Sequence, residues 1–445
     1  MSIESLAALA GRLASLGAVR IYAKDLPQNN NTKQQIYLGG SFEVLHHLPF
    51  GEITPSPASP DKVMHAPIRL AWIHPTAAPS PAPESKLVLY PQYPEVRLSG
   101  FVRGSAHAPA EWLSIDKKGA TPGRILFLAP TQDGQVLAYL APPDTPLARE
   151  FQLRRSNFEA VGVLADLTPL LPRMGLPSAD EALLLAELAR IHAKGWIDAK
   201  RLLSDGRCVP CKGPNCGGST LEAELGIAAN GNAEPDFHGW EVKQHATRNL
   251  RWGSAGAITL FTPEPDGGDY REKGPASFVR TYGADTVREG IAYFQGIHRA
   301  GDAHERTRLT LKVIGFDPLH RKVTTSSGCL SLQTLGGHEA ARWSFAKLIT
   351  HWCRKHAKAA YVPAQRSVEA APLQYRYGGD VRLYRQTDAT LLLSALSRGV
   401  VYYDPGVKLE TATGKVHPRN QFRVHARDLH CLYHTHDEVQ LAPAG

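Results

Sequence analysis

The stretch Asp236-Phe237-His238-Gly239-Trp240-Glu241-Val242-Lys243 follows a proline and decides how this chain is read. It runs Pro-Asp, four residues, then Glu-x-Lys. Residues two apart on a β-strand share a face, so a strand through Trp240–Lys243 presents Glu241 and Lys243 together and turns Trp240 and Val242 to the core. The His238-Gly239 pair suits a tight turn that brings Asp236 back beside them. Two carboxylates and an ammonium at one strand end suit a hard divalent cation: the carboxylates supply oxygen ligands, and the lysine holds a water or offsets charge on a phosphate. A surface hairpin with a Glu/Lys ion pair has the same spacing, so the surrounding residues must decide between the two.

Upstream, Gly217-Gly-Ser-Thr-Leu-Glu222-Ala-Glu224-Leu-Gly-Ile predicts a short helix able to present a further carboxylate. Glu222 and Glu224 compete for that role.

Cys216–His245 resembles the MvaI/BcnI family of type II restriction endonucleases, relatives of the mismatch-repair nickase MutH. These enzymes carry a helix Glu, then Asp, then Glu-x-Lys, the PD-(D/E)xK arrangement. Glu222, Asp236, Glu241 and Lys243 stand in that order and spacing, and the resemblance prefers Glu222 to Glu224 because it lies fourteen residues before Asp236, as in the family pattern. Leu260-Phe-Thr-Pro-Glu-Pro-Asp-Gly-Gly is similar to the family's loop after the catalytic strands. Gly399-Val-Val-Tyr-Tyr-Asp404-Pro and Arg419-Asn-Gln-Phe-Arg423-Val resemble its DNA-reading segments. A departure is Asn420-Gln421 where some relatives carry His-Gly, so base readout does not transfer across. The resemblance spans roughly residues 175 to 445. It implies an α/β (α+β) nuclease domain with Mg²⁺ held by Asp236, Glu241 and Glu222. It also implies a monomer that nicks one strand and then the other, and Asp404, Arg419 and Arg423 as base or phosphate readers. An ordinary salt-bridged strand pair is the alternative for these last residues.

Charge agrees with a nucleic-acid ligand. Of a net +8, residues 341–445 contribute +7, with 15 Lys and Arg against 8 Asp and Glu. A one-sided basic excess suits phosphate-backbone contact. No run of eighteen apolar residues is present, and the N-terminus reads as an amphipathic helix rather than a signal peptide, so a cytoplasmic protein without a membrane span is expected.

Six cysteines make no disulfide framework in a chain of 445 residues. Cys208-x2-Cys211-x4-Cys216 offers three thiolates that suit a structural Zn²⁺ with a fourth ligand from elsewhere; reduced thiols in a Gly/Pro-rich turn are the alternative.

The first half differs in texture. It is rich in strand patterns and punctuated by Pro and Gly. Residues 87–103 predict two short strands, and 124–140 predict a hairpin turning at Asp133-Gly134. A capped helix is expected over 178–194, with Ser178 and Glu181 as a capping box and Gly195 as its stop. The linker Leu167–Pro177 places the boundary near residue 170, giving domains 1–168 and 169–445. Arg20–Leu38 and Val96–Ser105 resemble DNA-facing segments of the EcoRII-like effector domain, a mostly-β B3-like pseudobarrel. That likeness implies Lys24, Asn30, Lys33, Gln35, Arg97 and Arg103 as DNA contacts. A plain structural β-domain fits as well, since Asn-rich polar loops are common turn formers.

Together these readings imply a UbaLAI-like type IIE enzyme, a type II site-specific deoxyribonuclease. Its expected site is of CCWGG or CCSGG type, with double-stranded DNA in one or two copies and a cognate DNA methyltransferase as its genetic partner. The alternatives are a MutH-like nickase, a modification-dependent nuclease, a nuclease of RNA or single strands, and a silent DNA-binding protein. An intact Glu222/Asp236/Glu241/Lys243 set argues against the last.

Overall fold

The computed structural model describes residues 3–28, 34–114, 116–171, 177–213, 216–228, 236–252, 256–283, 287–288, 290–367 and 372–441. The chain divides into two compact units, Met1–Ala179 and Asp180–Gly445. The expected linker Leu167–Pro177 includes 172–176, which lie outside the described residues.

The first unit is mostly β. A seven-stranded sheet runs Glu159–Val161, Leu164–Asp166, Tyr22–Leu26, Arg124–Pro130, Gln135–Ala141, Arg69–Trp72, Ser80–Ala82. Its hairpin Arg124–Pro130/Gln135–Ala141 turns at Asp133-Gly134, where Gly134 adopts φ 79°, a conformation that costs glycine little. A second sheet of five strands contains Gln35–Gly39, Glu95–Ser99 and Lys86–Tyr90 in that order. Helix Leu6–Ser15 is capped by the Ser5 side chain and buries Leu6, Leu9, Ala10 and Leu13 against a core with Ile125, Phe127, Leu137 and Phe151. The 3-4 spacing of those four residues makes the helix one-faced.

In the second unit, the central strand is Lys358–Arg366, whose residues Ala359–Ala364 are buried. One edge pairs antiparallel with Asp380–Arg385 and Gln374–Tyr377. The strand Glu241–Ala246 runs parallel to it, with Glu241 opposite Ala359 and Lys243 opposite Tyr361. Helix Pro177–Ala193 covers this sheet through Leu184, Leu188 and Ile191, which pack in one core with Trp240, Val242, Ala360, Val362 and Leu383. Gly195, at φ 68°, follows its end. Helix Phe345–Lys355, capped by Ser344, leads directly into the central strand. Among the described residues, no helix is long and apolar enough to cross a membrane.

Candidate active site

The His238-Gly239 turn has both φ angles positive, 46° and 80°. Phe237 and Trp240 exchange backbone hydrogen bonds across it at 2.9 and 2.8 Å. The doubled-back chain lets the Val242 N–H donate to Asp236 Oδ2 at 3.1 Å. Asp236 is thereby fixed beside the strand that carries Glu241 and Lys243. Along that strand Val242 packs into the core with Trp240, and Lys243 Nζ donates to Glu241 Oε1 at 2.6 Å.

The helix expected upstream spans Cys216–Glu224. Gly217 lets it approach the site strand: a Cβ there would stand 3.0 Å from Tyr375 Cε1 and 3.1 Å from Gln244 Cδ. The two glutamates of this helix part company. Glu224 is tied to Lys194 at 2.6 Å, Lys200 at 2.5 Å and Arg190 at 3.7 Å, and with that pairing its carboxyl titrates below the ordinary range despite burial. Glu222 interacts instead with Lys243, Glu241 and Lys355, and burial raises its pKa.

Two carboxylates forced together dominate the electrostatics. Burial and the adjacent Glu241 push Asp236 up to about 7. Burial also opposes ionisation of Glu241, but Lys243, His356 and Lys355 outweigh it and bring that group down to about 2. The pair is therefore a fixed anion beside a proton-sharing partner, as interacting carboxylates are. Lys355, on the last turn of the helix before the central strand, was not singled out from sequence. Its Nζ lies 3.8 Å from Glu241 Oε2 and 4.0 Å from Asp236 Oδ1.

Among the described residues, no three His, Cys, Asp or Glu side chains form a ready metal cluster. The donor chemistry at Asp236 and Glu241 nevertheless fits a divalent ion: both are oxygen donors, and Glu241 Oε2 is buried without a hydrogen-bond partner. Glu222 is near enough to interact with Glu241, and Lys355 lies within ion-pair distance of both carboxylates.

The cysteines correct the zinc expectation. Cys211 and Cys216 are joined in a disulfide, and Cys208 is free and exposed. Two of the three sulfurs are spent on each other, so no set of three thiolates faces a metal. Cys216 is itself buried in the core at the start of the Glu222 helix.

The expected DNA-reading residues separate into several cases. Arg423 donates to Asp404 Oδ2 at 2.7 Å and to the Ala257 carbonyl at 2.9 Å, so these two are a strand-bridging ion pair. Arg419 is exposed. Asn420 is buried, donating to the Tyr270 hydroxyl at 3.0 Å and accepting from Tyr403 at 2.7 Å, which assigns it to packing. In the first unit Lys24 departs from expectation: it is 8% exposed within Tyr22–Leu26, its ammonium lies 5.6 Å from the Tyr37 ring centre, and burial lowers its pKa. Arg97 pairs with Glu95 at 2.7 Å, lies over Tyr90 and approaches Gln35 Oε1 at 3.4 Å. Arg103 pairs with Glu84 at 3.2 Å on the surface. Asn30 and Lys33 lie outside the described residues.

Among solved structures, MvaI in complex with its cognate DNA substrate is similar at 19% identity, covering 58% of this chain and 97% of that one with a TM-score of 0.45. MvaI without DNA has the same coverage, 18% identity and a TM-score of 0.31. No curated protein matches. Residues 185–433, more than half of the sequence and including the whole Asp236/Glu241/Lys243/Lys355 constellation, match the MvaI/BcnI restriction endonuclease family. The chain belongs to that family of nucleases.

Proposed function

We propose that this protein is a Mg²⁺-dependent type II restriction endonuclease that hydrolyses phosphodiester bonds of double-stranded DNA at a short G·C-rich site of CCWGG or CCSGG type. The observation that carries the reading is the convergence of Asp236, Glu241 and Lys243 at one strand end, faced by Glu222 from a separate helix. Membership of a restriction endonuclease family supports double-stranded DNA as the substrate.

Asp236 and Glu241 would hold the ion, with Glu222 helping to place it or a second ion. A bound divalent cation supplies Lewis-acid stabilisation of the phosphate and lowers the pKa of a water. Lys243, held by Glu241 Oε1, orients the attacking water and offsets charge developing on the phosphate. The protein acts as a monomer, cutting the two strands in turn. Arg419 contacts phosphate, and the Asp404–Arg423 pair contributes to G·C reading, since arginine suits guanine and aspartate suits cytosine. The mostly-β first unit serves as a B3-like effector domain, with Gln35, Arg97 and Arg103 on its DNA-facing side.

The test is incubation of the purified protein with unmethylated phage DNA and MgCl₂ beside Lys243→Ala. Discrete fragments from the wild type and none from the variant are expected, and sequencing the ends gives the site. Nicked circles without linear product from a plasmid substrate would move the reading to a nickase. No cleavage by the wild type would overturn it.

A further inference from the structure

Glu241 is bracketed by two ammonium groups from different elements. Lys243, on its own strand, donates to Oε1 at 2.6 Å. Lys355, brought in by the helix that precedes the neighbouring strand, lies 3.8 Å from Oε2 and 4.0 Å from Asp236 Oδ1. While Lys243 is bonded to Glu241 alone and acts on Asp236 from farther off, Lys355 thus lies within ion-pair distance of both carboxylates. It faces Glu241 Oε2, the buried oxygen without a hydrogen-bond partner, at a distance too long for a strong hydrogen bond. An ammonium near two carboxylate oxygens, yet bonded to neither, stands where a hard cation would be drawn.

We propose that Lys355 is the internal counter-ion of the Asp236/Glu241 pair in the metal-free protein and competes with Mg²⁺ for it. This rests on the reading of that pair as the metal-binding carboxylates. Two neighbouring carboxylates without a cation repel each other at close range, and the Lys355 ammonium relieves that repulsion. The same ammonium opposes a divalent ion entering between them, so the site fills only when Lys355 swings aside. Its long flexible stem and its position on the final helical turn permit that movement without disturbing the central strand. Lys355 is therefore a positioning residue that sets the metal concentration at which the site fills. Lys243, bonded to the opposite oxygen, remains in place.

The test uses the full-length protein and two variants, Lys355→Met, which keeps most of the stem and removes the charge, and Lys355→Arg, which keeps the charge. Melting temperatures are read in EDTA and in MgCl₂, and Mg²⁺ affinity is read by calorimetry. Removing a competitor should tighten Mg²⁺ binding by Lys355→Met about tenfold, within the usual range of site-to-site coupling. Its melting temperature should drop in EDTA and recover in MgCl₂, widening the gap between the two conditions beyond that of the wild type. Lys355→Arg should keep the wild-type gap. A merely structural lysine would lower both melting temperatures equally and leave the affinity alone. Equal or weaker Mg²⁺ binding by Lys355→Met, or a Lys355→Arg variant that behaves like it, overturns the proposal. Glu241→Gln separates the two levels. If it leaves the Mg²⁺-dependent stabilisation intact, the metal-site reading falls and this inference with it. If it abolishes that stabilisation while Lys355→Met changes nothing, only the role of Lys355 falls.

Discussion

Glu222 and Glu224 sit two residues apart on one helix and face opposite ways: Glu224 toward Lys194, Lys200 and Arg190, Glu222 toward Lys243 and Lys355. Two helical steps turn a side chain through about 200°, so the helix cannot present both to one site. Glu224→Gln should therefore cost about 1–3 kcal/mol of folding stability, discounted for the partial exposure of its three cations. Glu222→Gln should leave stability unchanged or slightly higher, because it removes a half-buried charge whose pKa is raised, while lowering cleavage. Urea titrations beside cleavage assays check this; loss of stability in Glu222→Gln with full activity would reverse the assignment.

The Asp236/Glu241 pair sets a pH dependence with a definite sign. Asp236 has a folded pKa of about 7, above its ordinary value of 3.8, so the folded protein holds a proton that the unfolded chain has released. Without metal, stability should fall as pH rises from about 4 to about 7 through this group. Glu241, lowered to about 2, has the opposite effect at more acidic pH, adding stability between about 2 and its ordinary 4.5. Melting curves in EDTA from pH 4 to 8 should show a downward slope in the wild type that Asp236→Asn lacks.

A metal ligand must be deprotonated, so an Mg²⁺ ion held as proposed would compete with a proton at Asp236. Cleavage at limiting MgCl₂ should rise through neutral pH, and the midpoint should move to lower pH as MgCl₂ increases. A rate profile whose midpoint ignores MgCl₂ would place the controlling ionisation elsewhere.

The disulfide closes a loop of only five residues' separation, so its removal by Cys211→Ser should cost about 2 kcal/mol in the chain-entropy view. Because Cys216 opens the Glu222 helix, cleavage should fall more than stability does. Cys208→Ser, at an exposed free thiol, should change neither. Zinc added to the oxidised protein should not shift the melting temperature.

Asp404→Asn removes the anion that Arg423 now neutralises. If the pair reads bases, cleavage at sites differing by one base pair should rise relative to the cognate site, with about 1–3 kcal/mol of discrimination lost. An ordinary strand-bridging pair would lower stability slightly and leave site preference intact.

What could be read from the residues divides along local and distant lines. The His238-Gly239 turn, the alternation through Trp240–Lys243 and the Asp133-Gly134 hairpin are each written within a few residues, and each appears in the fold. Lys355 was illegible because its helix reads as an ordinary amphipathic segment. Only the parallel pairing of Glu241–Ala246 with Lys358–Arg366 carries it to the site. The cysteine spacing suits a metal loop or a disulfide equally, and only the folded positions of Cys211 and Cys216 distinguish them. Lys24 stands in a segment expected to contact DNA, but its neighbours Tyr22, Ala23 and Leu26 draw it into a buried strand.

The same parallel pairing sets when, in a nascent chain, this constellation can assemble. Glu241 lies opposite Ala359, 118 positions later, and among the described residues its strand has no other ladder partner. Contacts so distant along the chain are the last to form during vectorial synthesis. The segment bearing Asp236, Glu241 and Lys243 leaves the ribosome long before the strand that holds it in register. A translating ribosome therefore carries Asp236, Glu241 and Lys243 without the strand that aligns them.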